Sequence, residues 1–179
     1  IKARKLETPV NQGRIWRIVR DDQAAPKAAK IPTEAAARVK LLTHPSGWVR
    51  DTAQRLLVEA GDVGEAPALR AILADKAASA VTRLHALWTL DGLAAISPDD
   101  VRSALRDPDA QVRAAAIRMA SAELLPDLIA AKDDEAPLVL AHLAIRLSAV
   151  NQPSADLALA ELLSRHGQNA LIREGALSG

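Results

Sequence analysis

One segment recurs along this chain, and its spacing limits the possible folds more than any other feature. Aligned on the run Val49-Arg50-Asp51-Thr52-Ala53-Gln54-Arg55-Leu56, residues 82–89, 112–119 and 140–147 fall into register, and a shorter fifth copy begins at Ile172. The aligned alanines are Ala53, Ala86, Ala116, Ala144 and Ala176, a period of about 30 residues. Self-similarity at such a period marks a stack of supersecondary units, each too small to bury its apolar face alone.

Composition identifies the unit as helical. Ala (38) and Leu (25) fill about a third of the 179 positions, Phe and Tyr are absent, and three Trp are the only aromatics. A sheet protein would lack the residues that fill pleated surfaces, whereas Ala and Leu are the strongest helix formers. Each unit also has an upstream helix signal. Thr33 caps a helix with Glu34 in its first turn, a second helix lies around residues 67–74, and Ser97 precedes Pro98, Asp99 and Asp100. The fourth and fifth start near Pro126 and Ser154, and Gly61 and Gly167 mark stops. The expectation is an all-α solenoid of about five helix pairs over residues 33–179.

The stretch before Thr33 differs. Residues 12–20 alternate as Ile15, Arg17 and Val19 against Trp16 and Ile18 behind Gly13, the pattern of a strand or of a frayed tail. Residues 21–32, rich in Ala, Lys and Pro, read as a linker. The chain starts on Ile and carries no signal segment, as expected of a piece of a longer protein.

Several of these runs resemble known families. Asp-Pro-Asp-Ala-Gln-Val-Arg-Ala-Ala-Ala at residues 107–116 looks like the centre of a HEAT repeat. The stretches at residues 44–57 (His-Pro-Ser-Gly-Trp-Val-Arg-Asp-Thr-Ala-Gln-Arg-Leu-Leu) and 83–93 (Arg-Leu-His-Ala-Leu-Trp-Thr-Leu-Asp-Gly-Leu) resemble the HEAT segment of large secreted haem-binding proteins of planctomycete-type bacteria. Those proteins join a dehydrogenase-like propeller, HEAT repeats and a cytochrome c domain with a CxxCH motif. The resemblance implies HEAT-like helix pairs, a periplasmic or secreted setting, and a last propeller strand at residues 13–18. It also implies a spacer or docking role between flanking domains. With no Cys in the chain, haem attachment through CxxCH is excluded here, and no cofactor is expected in this piece.

Advancing 100° per residue along each second helix separates two rows of side chains. The position after Val49 carries Arg50, Arg83, Arg113, Ala141 and Arg173, inside the covered arc. These arginines are expected to be structural, bonding carbonyls or carboxylates at the turns, with Asp107 a candidate partner; an anion-binding row is the alternative. The sixth position after Val49 carries Arg55, Trp88, Arg118, Arg146 and Ser178 and points away from the core. With Leu84, one turn before Trp88, it is the candidate partner-binding row, because Trp and Arg are enriched at binding hot spots.

Other chemistry is sparse. His44, His85, His142 and His166 lack the i, i+3 or i+4 pairing of metal ligands, so no metal site is expected. Met119 occupies a packing position, and the carboxylates at 99–100 and 133–135 read as a helix cap and a solvated turn. No phosphate loop, nucleophile elbow or triad spacing is present, so no catalytic residue is expected. The expected function is a non-catalytic scaffold binding flanking domains or a protein partner. The alternative is a nucleic-acid module similar to HEAT-like alkylpurine DNA glycosylases; a lyase similar to HEAT-containing bilin lyases lacks identifiable chemistry. A net charge of +1 argues against nucleic acid, and no apolar run is long enough to span a membrane.

Overall fold

The computed structural model describes residue 22 and residues 30–178. The strand expected at residues 12–20 and most of the linker lie outside the described residues. The chain divides after Lys30, and Ile31–Gly179 forms one unit.

Among the described residues this unit contains ten α-helices and no strand. They are α1 (Ala35–Leu41), α2 (Gly47–Ala60), α3 (Ala66–Ala74), α4 (Ala80–Gly92), α5 (Pro98–Leu105), α6 (Ala110–Met119), α7 (Leu125–Ala130), α8 (Pro137–Ser148), α9 (Pro153–His166) and α10 (Ala170–Leu177). Local chemistry explains many of the starts. Ser79, Asp109 and Asn169 accept from backbone N–H groups inside α4, α6 and α10. Ser97 and Asp100 form a reciprocal capping box at α5, with Pro98 in the first turn. The first helix differs from the sequence expectation. Its cap position is Glu34, without a side-chain capping bond, and the Thr33 hydroxyl instead donates to the Glu34 carboxylate at 2.9 Å. Gly61 ends α2 in the left-handed region at φ 65°, whereas Gly167 ends α9 with ordinary right-handed angles.

The even-numbered helices pack in chain order, α2 on α4, α4 on α6, α6 on α8 and α8 on α10. The odd-numbered helices cover them: α1 on α2, α3 on α4, α5 on α6 and α9 on both α8 and α10. The fourth unit departs from this scheme. Its first helix, α7, is short, continues into the 3-10 turn Ala131–Asp133, and packs on α9.

One continuous apolar cluster runs from Val39 to Ile172. Leu42, Leu57, Leu69, Leu87, Leu90, Leu128, Leu143 and Leu147 are at most 1% exposed, each contributing about 2 kcal/mol of transfer free energy. Of the recurring alanines, Ala53, Ala86, Ala116 and Ala144 are fully buried, and Ala176 is half-buried. At Gly175 the backbones of α10 and α8 approach closely, and a Cβ there would meet the Ala141 carbonyl oxygen at 2.9 Å.

Candidate functional site

The second helices share a frame set by their N-cap residues, Ser46, Ser79, Asp109, Ala136 and Asn169. These caps keep the period of the sequence repeat, with the shortest step between Asp109 and Ala136. Counted from them, the fourth position holds Arg50, Arg83, Arg113, Leu140 and Arg173. Each of the four guanidinium groups folds back on its own turn. Arg50 Nη1 donates to the His44 and Pro45 carbonyls at 2.7 and 3.0 Å, and Arg113 Nη1 does the same to Asp107 and Pro108 at 2.8 and 3.0 Å. Arg83 Nη1 bonds the Ala78 carbonyl, and Arg173 Nη1 reaches that of Gly167 at 3.0 Å.

Two of the four continue into the next unit. Arg83 donates Nε and Nη2 to Asp107 at 2.8 and 2.7 Å, and Arg113 grips Asp134 the same way at 2.6 and 3.0 Å. Asp107 and Asp134 each stand two places before the next cap. Burial pushes both carboxyls up, but the arginine forks and the backbone N–H groups of Asp109 and Ala136 outweigh it, so both lie below the usual carboxylate range. Lys76 adds a bond to Asp107 at 3.0 Å. At Arg50 the corresponding position is Ala77, and its buried Nε has no hydrogen-bond partner among the described residues. All four guanidinium groups thus bond carbonyls of the turn before their own helix, and Arg83 and Arg113 also bond a carboxylate.

The outward face of the even helices has a different character. The ninth position after the cap holds Arg55, Trp88, Arg118, Ile145 and Ser178, and the second, two turns earlier on the same stripe, holds Trp48, Val81, Gln111, Leu138 and Leu171. Trp48, Val81, Trp88, Leu138, Ile145 and Leu171 are all exposed, from 38% at Trp88 to 64% at Trp48. Two residues of the candidate row are displaced from this surface. Leu84 is 5% exposed, because α4 is clasped by α2, α3 and α6, and it forms the floor of a hollow rather than its rim. Arg146 sits one place off the row. It donates Nε and Nη2 to the Ala120 carbonyl at 3.1 and 2.6 Å, tying down the end of α6, and Ile145 takes the outward place. Arg55 and Arg118 are exposed, with Arg55 paired to Glu59 at 2.8 Å on its own helix.

Trp88 is shared by the hollows on this face. On one side it meets Asp51, Gln54, Arg55, Val58 and Glu59 in a cavity of about 380 Å3. On the other, with Leu84, Ala114, Ala115, Arg118, Leu138 and His142, it closes one of about 190 Å3. Its ring stands edge-on to His85 at 5.8 Å. His85 is buried, with Nδ1 2.7 Å from Gln54 Oε1 and Nε2 3.9 Å from Asp51. Burial and then the Arg50 charge lower its pKa, against a smaller upward pull from Asp51. His142 is lowered by burial and by Arg118.

Among the described residues no group of three His, Asp or Glu could hold a metal ion, and no helix is long and apolar enough to cross a membrane. The second-position row escapes a sequence reading because its residues lie outside the recurring segment, by one place in four copies and by two at Leu138; the signal for it is Trp48, Val81 and Leu171 at one register position. No family model matches this chain, and no curated protein or solved structure matches it.

Proposed function

We propose that residues 31–178 form a HEAT-like helix-pair scaffold, without catalysis of its own, that docks a flanking domain or another protein on the outward face of its second helices. One observation carries this reading: six large apolar side chains are exposed along a single stripe of α2, α4, α8 and α10. Isolated exposed apolar residues need no explanation, but a row of them across one layer marks an interaction surface. The chain-ordered packing of the even helices and the Arg–Asp links from one unit to the next support the solenoid part of the reading. A setting inside a secreted haem-binding protein rests on the sequence resemblance alone.

The reading is tested by installing a photo-crosslinking residue at position 48, 138 or 171, or at the exposed Ala68 or Ala71 of α3, in the chain expressed in its natural context. The first three positions should give one shared adduct and the α3 positions none. Adducts only from α3, or none from either set, would refute it.

A further inference from the structure

Resting on that docking face, we propose that the hollow between α4, α6 and α8 receives an acidic protein segment, seating one apolar side chain with an adjoining carboxylate on Arg118. Each of α2, α4, α8 and α10 places at least one large apolar residue on the stripe, whereas on α6 both places are polar, Gln111 and Arg118. The floor there consists of Ala114, Ala115 and Leu84, and Trp88 and Leu138 form the walls. About 190 Å3 accommodates one branched or phenyl side chain, and an aromatic wall favours such an anchor.

Charge decides the rest. Arg118 is exposed and has no hydrogen bond or ion pair among the described residues, whereas Arg55 is paired with Glu59 and Arg146 is held by a carbonyl. No carboxylate lines this hollow, and its other titratable group, His142, has its pKa lowered in part by the same arginine. Asp91 lines the neighbouring hollow with Arg118 but makes no ion pair with it. Beyond Trp88 the charges are Asp51, Arg55 and Glu59, with the arginine paired to Glu59. A polyphosphate backbone needs a run of free cations, which the described residues of this face do not supply. A single carboxylate beside an apolar anchor matches one free guanidinium over an apolar floor.

The probes are two fluorescein-labelled, N-acetylated peptides with the same two central leucines, one flanked by glutamates and the other by lysines. Each is titrated into the full chain by anisotropy, with the Trp88 indole N–H followed by NMR and assigned through Trp88→Phe. The glutamate peptide should bind, shift the Trp88 signal and outcompete the lysine peptide at least tenfold. Arg118→Glu, which breaks no bond in the fold, should reverse that order with an unchanged melting temperature. If both peptides bind alike and Arg118→Glu alters neither, the acidic specificity is wrong while the apolar docking face stands. If neither binds, or a short DNA duplex binds in their place at physiological salt, the proposal fails. The crosslinking experiment above separately decides the wider reading.

Discussion

Removing one carboxylate should unsettle the middle of this molecule. Asp107 has a fully buried side chain and accepts four hydrogen bonds: Arg83 Nε and Nη2 at 2.8 and 2.7 Å, Lys76 Nζ at 3.0 Å and the Asp109 N–H at 2.9 Å. Arg83 is itself only 4% exposed at its side chain. Asp107→Ala therefore leaves a guanidinium shut off from water, with one backbone carbonyl as its remaining partner. Orphaning one member of a buried pair costs about 3–5 kcal/mol, which for a unit of this size lowers the melting temperature by about 6–20 °C. Arg83→Met/Asp107→Leu removes both charges and should be less destabilised than Asp107→Ala, because no charge is stranded. Urea denaturation and calorimetry of the unsubstituted protein, Asp107→Ala, the single variants Arg83→Met and Asp107→Leu, and the double variant measure this. A loss below about 1 kcal/mol for Asp107→Ala, or a double variant that loses the sum of the two single changes, would refute the reasoning.

The linkage of these groups to pH has two parts, one for carboxylates and one for imidazoles. Folding depresses the Asp107, Asp100 and Asp134 pKa values from 3.8, so their stabilisation is complete above that value and lost as the pH falls below it; Asp107→Asn should flatten the acid limb of stability against pH. Folding also depresses the His85 and His142 pKa values from 6.5, so stability holds above pH 6.5 and declines below it as the unfolded chain takes up protons. His85→Gln/His142→Gln should remove the slope between about pH 6.5 and 5, and an unchanged slope would place its origin elsewhere. Ala77→Asp should supply the carboxylate that Arg50 lacks and raise stability by about 1 kcal/mol; a lower urea midpoint would show that position 77 does not face Arg50.

The helical class is legible in the sequence because the signals for it are local. Ala and Leu dominate, and Ser97 before Pro98, Asp99 and Asp100 has the chemistry of the capping box found at α5. The arginine row is legible for a related reason: an arginine one turn into a helix can fold back on the carbonyls of the preceding turn, so its place follows from the helix start. Which carboxylate each arginine meets in the next unit depends on loop geometry, and Asp134, in a run that reads as a solvated turn, is instead held by Arg113. The burial of Leu84 is also out of reach, since it depends on how closely α2, α3 and α6 surround α4 rather than on the wheel of α4 alone.

The fourth unit shows why alanines make a poor ruler. Ala141 and Ala144 lie within one turn of each other on α8, both buried, so alignment on alanine cannot distinguish neighbouring registers. The cap there is Ala136, which offers no side-chain acceptor to announce the helix start. A better marker precedes it. Asp107 accepts from the N–H of Asp109, and Asp134 accepts from that of Ala136, in the equivalent turn of the next unit. Measuring from these aspartates places Leu143 where Ala116 stands and Ile145 where Arg118 stands. The one-residue slip changes the chemistry of the outward face: it removes an arginine from the α8 edge and leaves Arg118 as the lone free cation, among the described residues, of a hollow whose other lining is Gln111, His142 and apolar side chains. A chain of charges suited to phosphate thereby becomes a single charge beside apolar walls, and that difference favours an acidic protein segment over a nucleic acid.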